Sequence, residues 1–189
     1  MAKLISFVVL ITVSGLQAQP AEVTADIELL LWNEFYKLQW DDFQGEPDKT
    51  SLGDAGTAVQ IKATPFLIKK EIRYDVEAFF NRKKSWVRDT SPSLLAHEQL
   101  HFDIAELYAR KVRKKIRELQ ARGVNNIKTY NAAIQALLLE SNEVDQRYDL
   151  ETLHGALSKK QAAWTEKIKE QLASLKKYRK TKRVIGKFD

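Results

Sequence analysis

Between Ser93 and Ala121 the chain contains neither glycine nor proline, and inside this stretch two of its three histidines stand four residues apart. The stretch begins with Thr90-Ser91-Pro92, a hydroxyl cap followed by proline where its missing N–H is not needed. It ends at Gly123, a helix stop. The spacing predicts one long helix, from about Pro92 to Arg122. Leu94, His97, His101, Ile104, Tyr108 and Val112 recur every three or four residues, so both histidines belong to a core-facing stripe. They lie about 40° apart around the helix axis, and their imidazoles can converge on one ion.

The pentapeptide is His97-Glu98-Gln99-Leu100-His101. Composition predicts roughly 0.003 such H-E-x-x-H patterns by chance, which makes coincidence a poor explanation. Zinc accepts neutral imidazole nitrogens, and a catalytic zinc keeps three protein ligands and one open position. The metal makes water acidic near neutrality. Glu98 is turned away from the ion-binding direction, as a general base and acid should be. Two histidines leave one ligand to find. Glu106 lies about 180° from His97, and Asp103 about 120°, so neither can join on one straight helix. The candidates are His154, Asp149, Asp145 and Glu143. His154, the last histidine, before Gly155, is preferred, with Asp149 or Asp145 as runner-up. Asp149 or Glu151 would then orient His154. Tyr148 is a candidate catalytic donor to a tetrahedral oxyanion.

The N-terminus carries an address. Lys3 precedes the apolar run Leu4 to Val13 and a polar segment with small residues, the pattern of a secretory signal peptide over residues 1–19. Ten apolar residues are too few to span a membrane. The expected location is secreted or periplasmic. The chain has no cysteine, which excludes disulfides and thiolate ligands. Its formal charge is +6, and loss of the signal with Lys3 (6 − 1) leaves +5. The cations cluster in Arg110 to Arg117 and in a basic tail, about 176–189. Such patches could meet an anionic envelope surface, but a solvated helix face is the simpler reading. An export signal argues against nucleic acid as the partner.

The rest divides into strands, then helices. Ala58 to Ala63 alternates and stops near Pro65. Glu71 to Phe80 alternates with Ile72, Tyr74, Val76, Ala78 and Phe80 on one side, and Ser85-Trp86-Val87 should return as its hairpin partner. After the motif helix, helices are expected over about Lys128 to Tyr148 and Ser158 to Tyr178. A small antiparallel sheet followed by three long helices is an α+β arrangement, in one domain over residues 20–189.

Three blocks carry a resemblance: Leu38-x-Trp40-x-Asp42-Phe43-x-Gly45-x-Pro47; His97-Glu98-Gln99-x-His101-Phe102-Asp103-Ile104-x-Glu106; and Tyr148-Asp149-x-x-Thr152-x-His154-Gly155 with Gln161-x-x-Trp164. In this order they resemble the bacterial predicted secreted zinc-dependent protease family, domain of unknown function 922. The resemblance implies a zincin-like metallopeptidase binding one zinc ion. It carries over His97, Glu98 and His101, and marks Tyr148, Asp149, Thr152 and His154 as motif positions without fixing their roles. By analogy with zincin-like folds, a peptide or protein substrate would pair with an edge strand, either Glu71 to Phe80 or Ala58 to Ala63. The alternatives are a non-catalytic, metal-stabilised envelope protein with a basic surface, and hydrolysis of another amide such as a cell-wall peptide.

Overall fold

The computed structural model describes residues 28–51 and 53–180. The signal segment and the end of the basic tail lie outside them. The order is β1 (Leu29–Leu31), a 3-10 turn (Trp40–Asp42), β2 (Ala55–Gly56), β3 (Val59–Ile68), β4 (Glu71–Asn81), β5 (Trp86–Val87), α1 (Pro92–Ala121), α2 (Ile127–Thr152), α3 (Ser158–Ser174) and a 3-10 turn (Lys176–Tyr178). The chain is α+β: a small antiparallel sheet followed by three helices.

The three-stranded sheet has the order β1-β4-β3, so β4 is central and β3 is an edge. The hairpin differs from the one expected. β4 turns back on β3 through Lys69-Lys70, with Ile68 opposite Glu71. Trp86-Val87 pairs instead with Ala55-Gly56. The tight turn at Asn81, whose carbonyl accepts from Lys84 and Ser85, swings the chain off the sheet. β3 also runs through Pro65, because an edge strand tolerates proline where the missing N–H faces away from its single neighbour.

The alternation in β4 works as the sequence implies. Val76, Ala78 and Phe80 are buried against Phe102, Ala105, Ala109, Val112 and Ile116 of α1. Phe80 meets Phe43 edge-on at 5.1 Å and Phe102 at 5.8 Å. The opposite side of α1 supplies Leu100, Ile104, Leu107 and Tyr108 to a second cluster with Tyr148, Trp164 and Ile168. The helix is thus covered by the sheet on one side and by helices on the other, so its buried surface is far wider than one stripe. Both ends are closed as the sequence suggests. Ser91 accepts from the Leu94 N–H, and past the end the Gly123 and Val124 N–H groups bond the Gln120 and Leu119 carbonyls.

This wide burial changes the meaning of the basic run on α1. Arg110 and Arg113 are not a solvated face. Both bond the buried Glu106 carboxylate, at 2.8 and 3.0 Å. Their remaining donors serve the Leu172 and Val76 carbonyls. Truncating Glu106 would leave two guanidinium groups short of their counter-charge, and breaking a buried pair this way costs about 3–5 kcal/mol. Glu106→Ala is therefore expected to lower the denaturation midpoint sharply. Glu106→Gln keeps an acceptor and should lose less; equal midpoints for Glu106→Ala and the parent chain would refute this role.

Candidate metal centre

His97 and His101 point from α1 towards α2. The Nε2 atoms lie 3.3 Å apart. Asp149 Oδ1, from α2, stands 3.1 Å from the His97 Nε2 and 3.0 Å from the His101 Nε2. These atoms form a group that could hold a metal ion. Both histidines are buried, while Asp149 keeps partial access to solvent.

The far ring nitrogens set the tautomers. The Asp145 carboxylate accepts from His101 Nδ1 at 2.6 Å. Gln161 Oε1, which already accepts the Tyr148 hydroxyl at 2.7 Å, accepts from His97 Nδ1 at 3.2 Å. With each Nδ1 holding its proton, neutral imidazoles turn their Nε2 lone pairs towards each other and towards a carboxylate oxygen. Three electron-rich atoms at that spacing require a cation between them. A proton can serve: burial alone would lower the His101 pKa, but hydrogen bonds to Asp145 and Asp149 overcome it and raise it from 6.5 to about 10. Burial likewise pushes the Asp149 carboxyl up, yet hydrogen bonds from His101 and His97 hold it well below the usual range. A metal ion meets the same demand, and the donor set suits one.

Glu98 is 3% exposed. Among the described residues its carboxylate has no hydrogen bond or ion pair, although its charge is felt by Tyr148. The sequence leaves open a surface position for this glutamate; in the fold it is buried.

α2 continues to Thr152, a full turn beyond the expected end, which puts Asp145 and Asp149 on one helical face. Asp149 thus reaches both Nε2 atoms, and Asp145 stands behind His101. The preferred third ligand, His154, is outside the group. Its side chain is 62% exposed and its Nδ1 is 3.6 Å from Asp149 Oδ1. Tyr148 is fully buried, stacked on the His97 ring at 4.6 Å. Its hydroxyl donates to Gln161 and lies 3.2 Å from the His97 carbonyl, so that proton is engaged inside the protein. Burial, together with the Glu98, Asp149 and Asp145 charges, pushes the phenol pKa up. Asp103 takes the Trp32 indole N–H, and Glu106 serves the arginines; both lie away from the histidines, as helix phasing requires.

Gln161 has no role legible in the sequence alone. It sits one turn before Trp164 on α3, and Trp164 packs on Tyr148 at 5.4 Å while its indole N–H bonds Glu151. The other motif positions also have physical work. Thr152 donates to the Tyr148 carbonyl and accepts from the Gly155 N–H. Gly155, at φ +83°, lies so close to His97 that a Cβ there would meet the His97 Cβ at 2.9 Å. Leu38 N–H bonds Gln99 inside the motif helix, and Asp42 joins Tyr36 and Arg82.

A groove of about 400 Å³ leads to this centre. Thr57 to Ile61 at the edge strand form one wall, and Gln135, Leu138, Ser141 and Asn142 of α2 the other. Ile104 and Ala105 of α1 line it too, and it reaches His101 and Asp145. β1 joins β4 only over Phe79–Asn81, whereas β3 is paired with β4 alone and its first residues line this groove, which favours β3 as the available edge.

A family model described as a bacterial protein of unknown function (DUF922) matches residues 36–155, more than half of the chain. The chain belongs to this family. The match contains the whole histidine–aspartate group and stops at Gly155, just before the helix that supplies Gln161. No curated protein and no solved structure matches the chain.

Proposed function

We propose that this DUF922 protein is a zinc-dependent metallopeptidase, exported to the periplasm or beyond, with a zincin-like site. The observation that carries the reading is the triangle of His97 Nε2, His101 Nε2 and Asp149 Oδ1, with sides of 3.1, 3.0 and 3.3 Å. A tetrahedral zinc with Zn–N bonds of 2.0–2.1 Å has ligand-to-ligand edges of about 3.3 Å. The three atoms are spaced as one face of that tetrahedron, which supports zinc and leaves a fourth position. Zinc bound there would supply a Lewis acid that polarises a carbonyl and acidifies water.

The protein's own groups do the rest. His97, His101 and Asp149 hold the ion; Asp145 and Gln161 fix the two imidazoles. Glu98, unpaired and buried, takes a proton from the attacking water and returns it to the leaving amine nitrogen. Tyr148 positions His97 and does not reach the substrate. The free edge of β3 offers backbone donors and acceptors to an extended peptide, so recognition would rest mainly on main-chain bonds.

The test is to titrate the mature chain with zinc and assay the loaded protein on a peptide library. One zinc per chain, with turnover abolished by a chelator and restored by zinc, is expected. Bound zinc without turnover on any peptide would point to the metal-stabilised envelope protein instead, and no zinc binding would remove both readings.

A further inference from the structure

We propose that His154 is a catalytic residue, whose imidazole N–H hydrogen-bonds the substrate carbonyl oxygen as that oxygen becomes negative. This role rests on the peptidase reading above. Four observations lead to it. The ring is mostly exposed, yet stands beside the metal-binding carboxylate. At 3.6 Å the approach to Asp149 is longer than a hydrogen bond, and His154 has no other side-chain partner among the described residues, so its N–H is uncommitted. The Tyr148 hydroxyl, beside the His97 ring, is already spent on Gln161.

The fourth observation is the backbone. Leu153, His154 and Gly155 follow one another at φ 47°, 51° and 83°, all left-handed. Only the glycine takes this conformation freely; for the other two it is strained. The His154 N–H bonds the Asp149 carbonyl at 3.0 Å, and the Gly155 N–H bonds Thr152. Those bonds, with Gly155 seated against His97, hold the turn in place. The strained turn therefore holds the His154 backbone at the rim of the centre, with the ring beside the carboxylate that the two buried histidines share.

The reaction balances without any further reactant. Water adds to the carbonyl carbon as its proton passes to Glu98, and the carbonyl oxygen takes the negative charge, where the His154 N–H meets it. The carbon–nitrogen bond then breaks, the carbonyl re-forms, and Glu98 delivers the proton to the amine. Stabilising the oxygen contributes most in the transition state, so kcat should fall more than KM rises.

The experiment compares His154→Ala and His154→Gln with the parent chain. Zinc content and zinc affinity, by elemental analysis and chelator competition, should match the parent within about twofold, whereas loss of an outer zinc partner costs 10–100-fold. With peptide substrate, kcat should fall roughly 100-fold in His154→Ala, as for loss of an oxyanion donor. His154→Gln, which keeps an N–H, should recover part of it. A phosphonamidate peptide, mimicking the tetrahedral oxygen, should lose affinity in parallel. Loss of zinc in His154→Ala would make the residue a ligand and overturn the proposal. Unchanged kcat with an active parent would remove this role alone; a parent inert on all peptides would remove the function and this role together.

Discussion

Glu98→Gln is expected to bind zinc as the parent does and to lose activity by about 10²–10⁴-fold, the usual contribution of a positioned general base. The argument is one of burial and company. Glu98 lies beside the histidine pair but outside the group whose atoms converge. It is buried without a hydrogen-bond or ion-pair partner among the described residues. A carboxylate that no hydrogen bond or ion pair engages is free to take up and return a proton. Glutamine has the same shape and cannot take a proton at neutral pH. Zinc content and kcat measured on one preparation separate the two properties. An active Glu98→Gln would end the general-base assignment, and one that lost its zinc would mean that the carboxylate belongs to the metal.

Asp149→Ala is expected to abolish tight zinc binding, and activity with it. Its Oδ1 faces both Nε2 atoms at 3.0–3.1 Å, so truncation would remove one of the three proposed ligands as well as the charge that would offset the cation. The loss should exceed the 10–100-fold typical of an outer-shell partner. Competition against a chelator of known affinity measures it. The contrast with His154 is decisive. If zinc follows Asp149 and ignores His154, the aspartate is the third ligand. The opposite pattern would restore the histidine preferred from sequence and leave Asp149 as its orienting group.

Why the sequence favoured His154 is instructive. Residue type pointed to it, because histidine is a commoner zinc ligand than aspartate and only one remained. The continuation of α2 decided otherwise. Asp149-Leu150-Glu151 reads as the start of a loop, but the helix runs on to Thr152, and only then are Asp145 and Asp149 stacked one turn apart facing α1. Two aspartates at a spacing of four were the available signal. Gln161 had no comparable one: a glutamine on an amphipathic helix is ordinary until Tyr148 and His97 are found around its oxygen.

The sequence by itself determined the local and periodic features: the α+β order, the long helix with its caps, the inward face of β4 and the pairing of His97 with His101. These follow from repeats of two and 3.6 residues and from hydrogen bonds within a few positions. The tertiary structure decided what joins residues far apart: β3 as the free edge, Glu106 as the buried anchor of two arginines, and Asp149 as the partner of both histidines. No local pattern encodes those contacts. They arise because α1 is packed between a sheet and two helices, and the packing of α2 and α3 against it sets which polar groups meet.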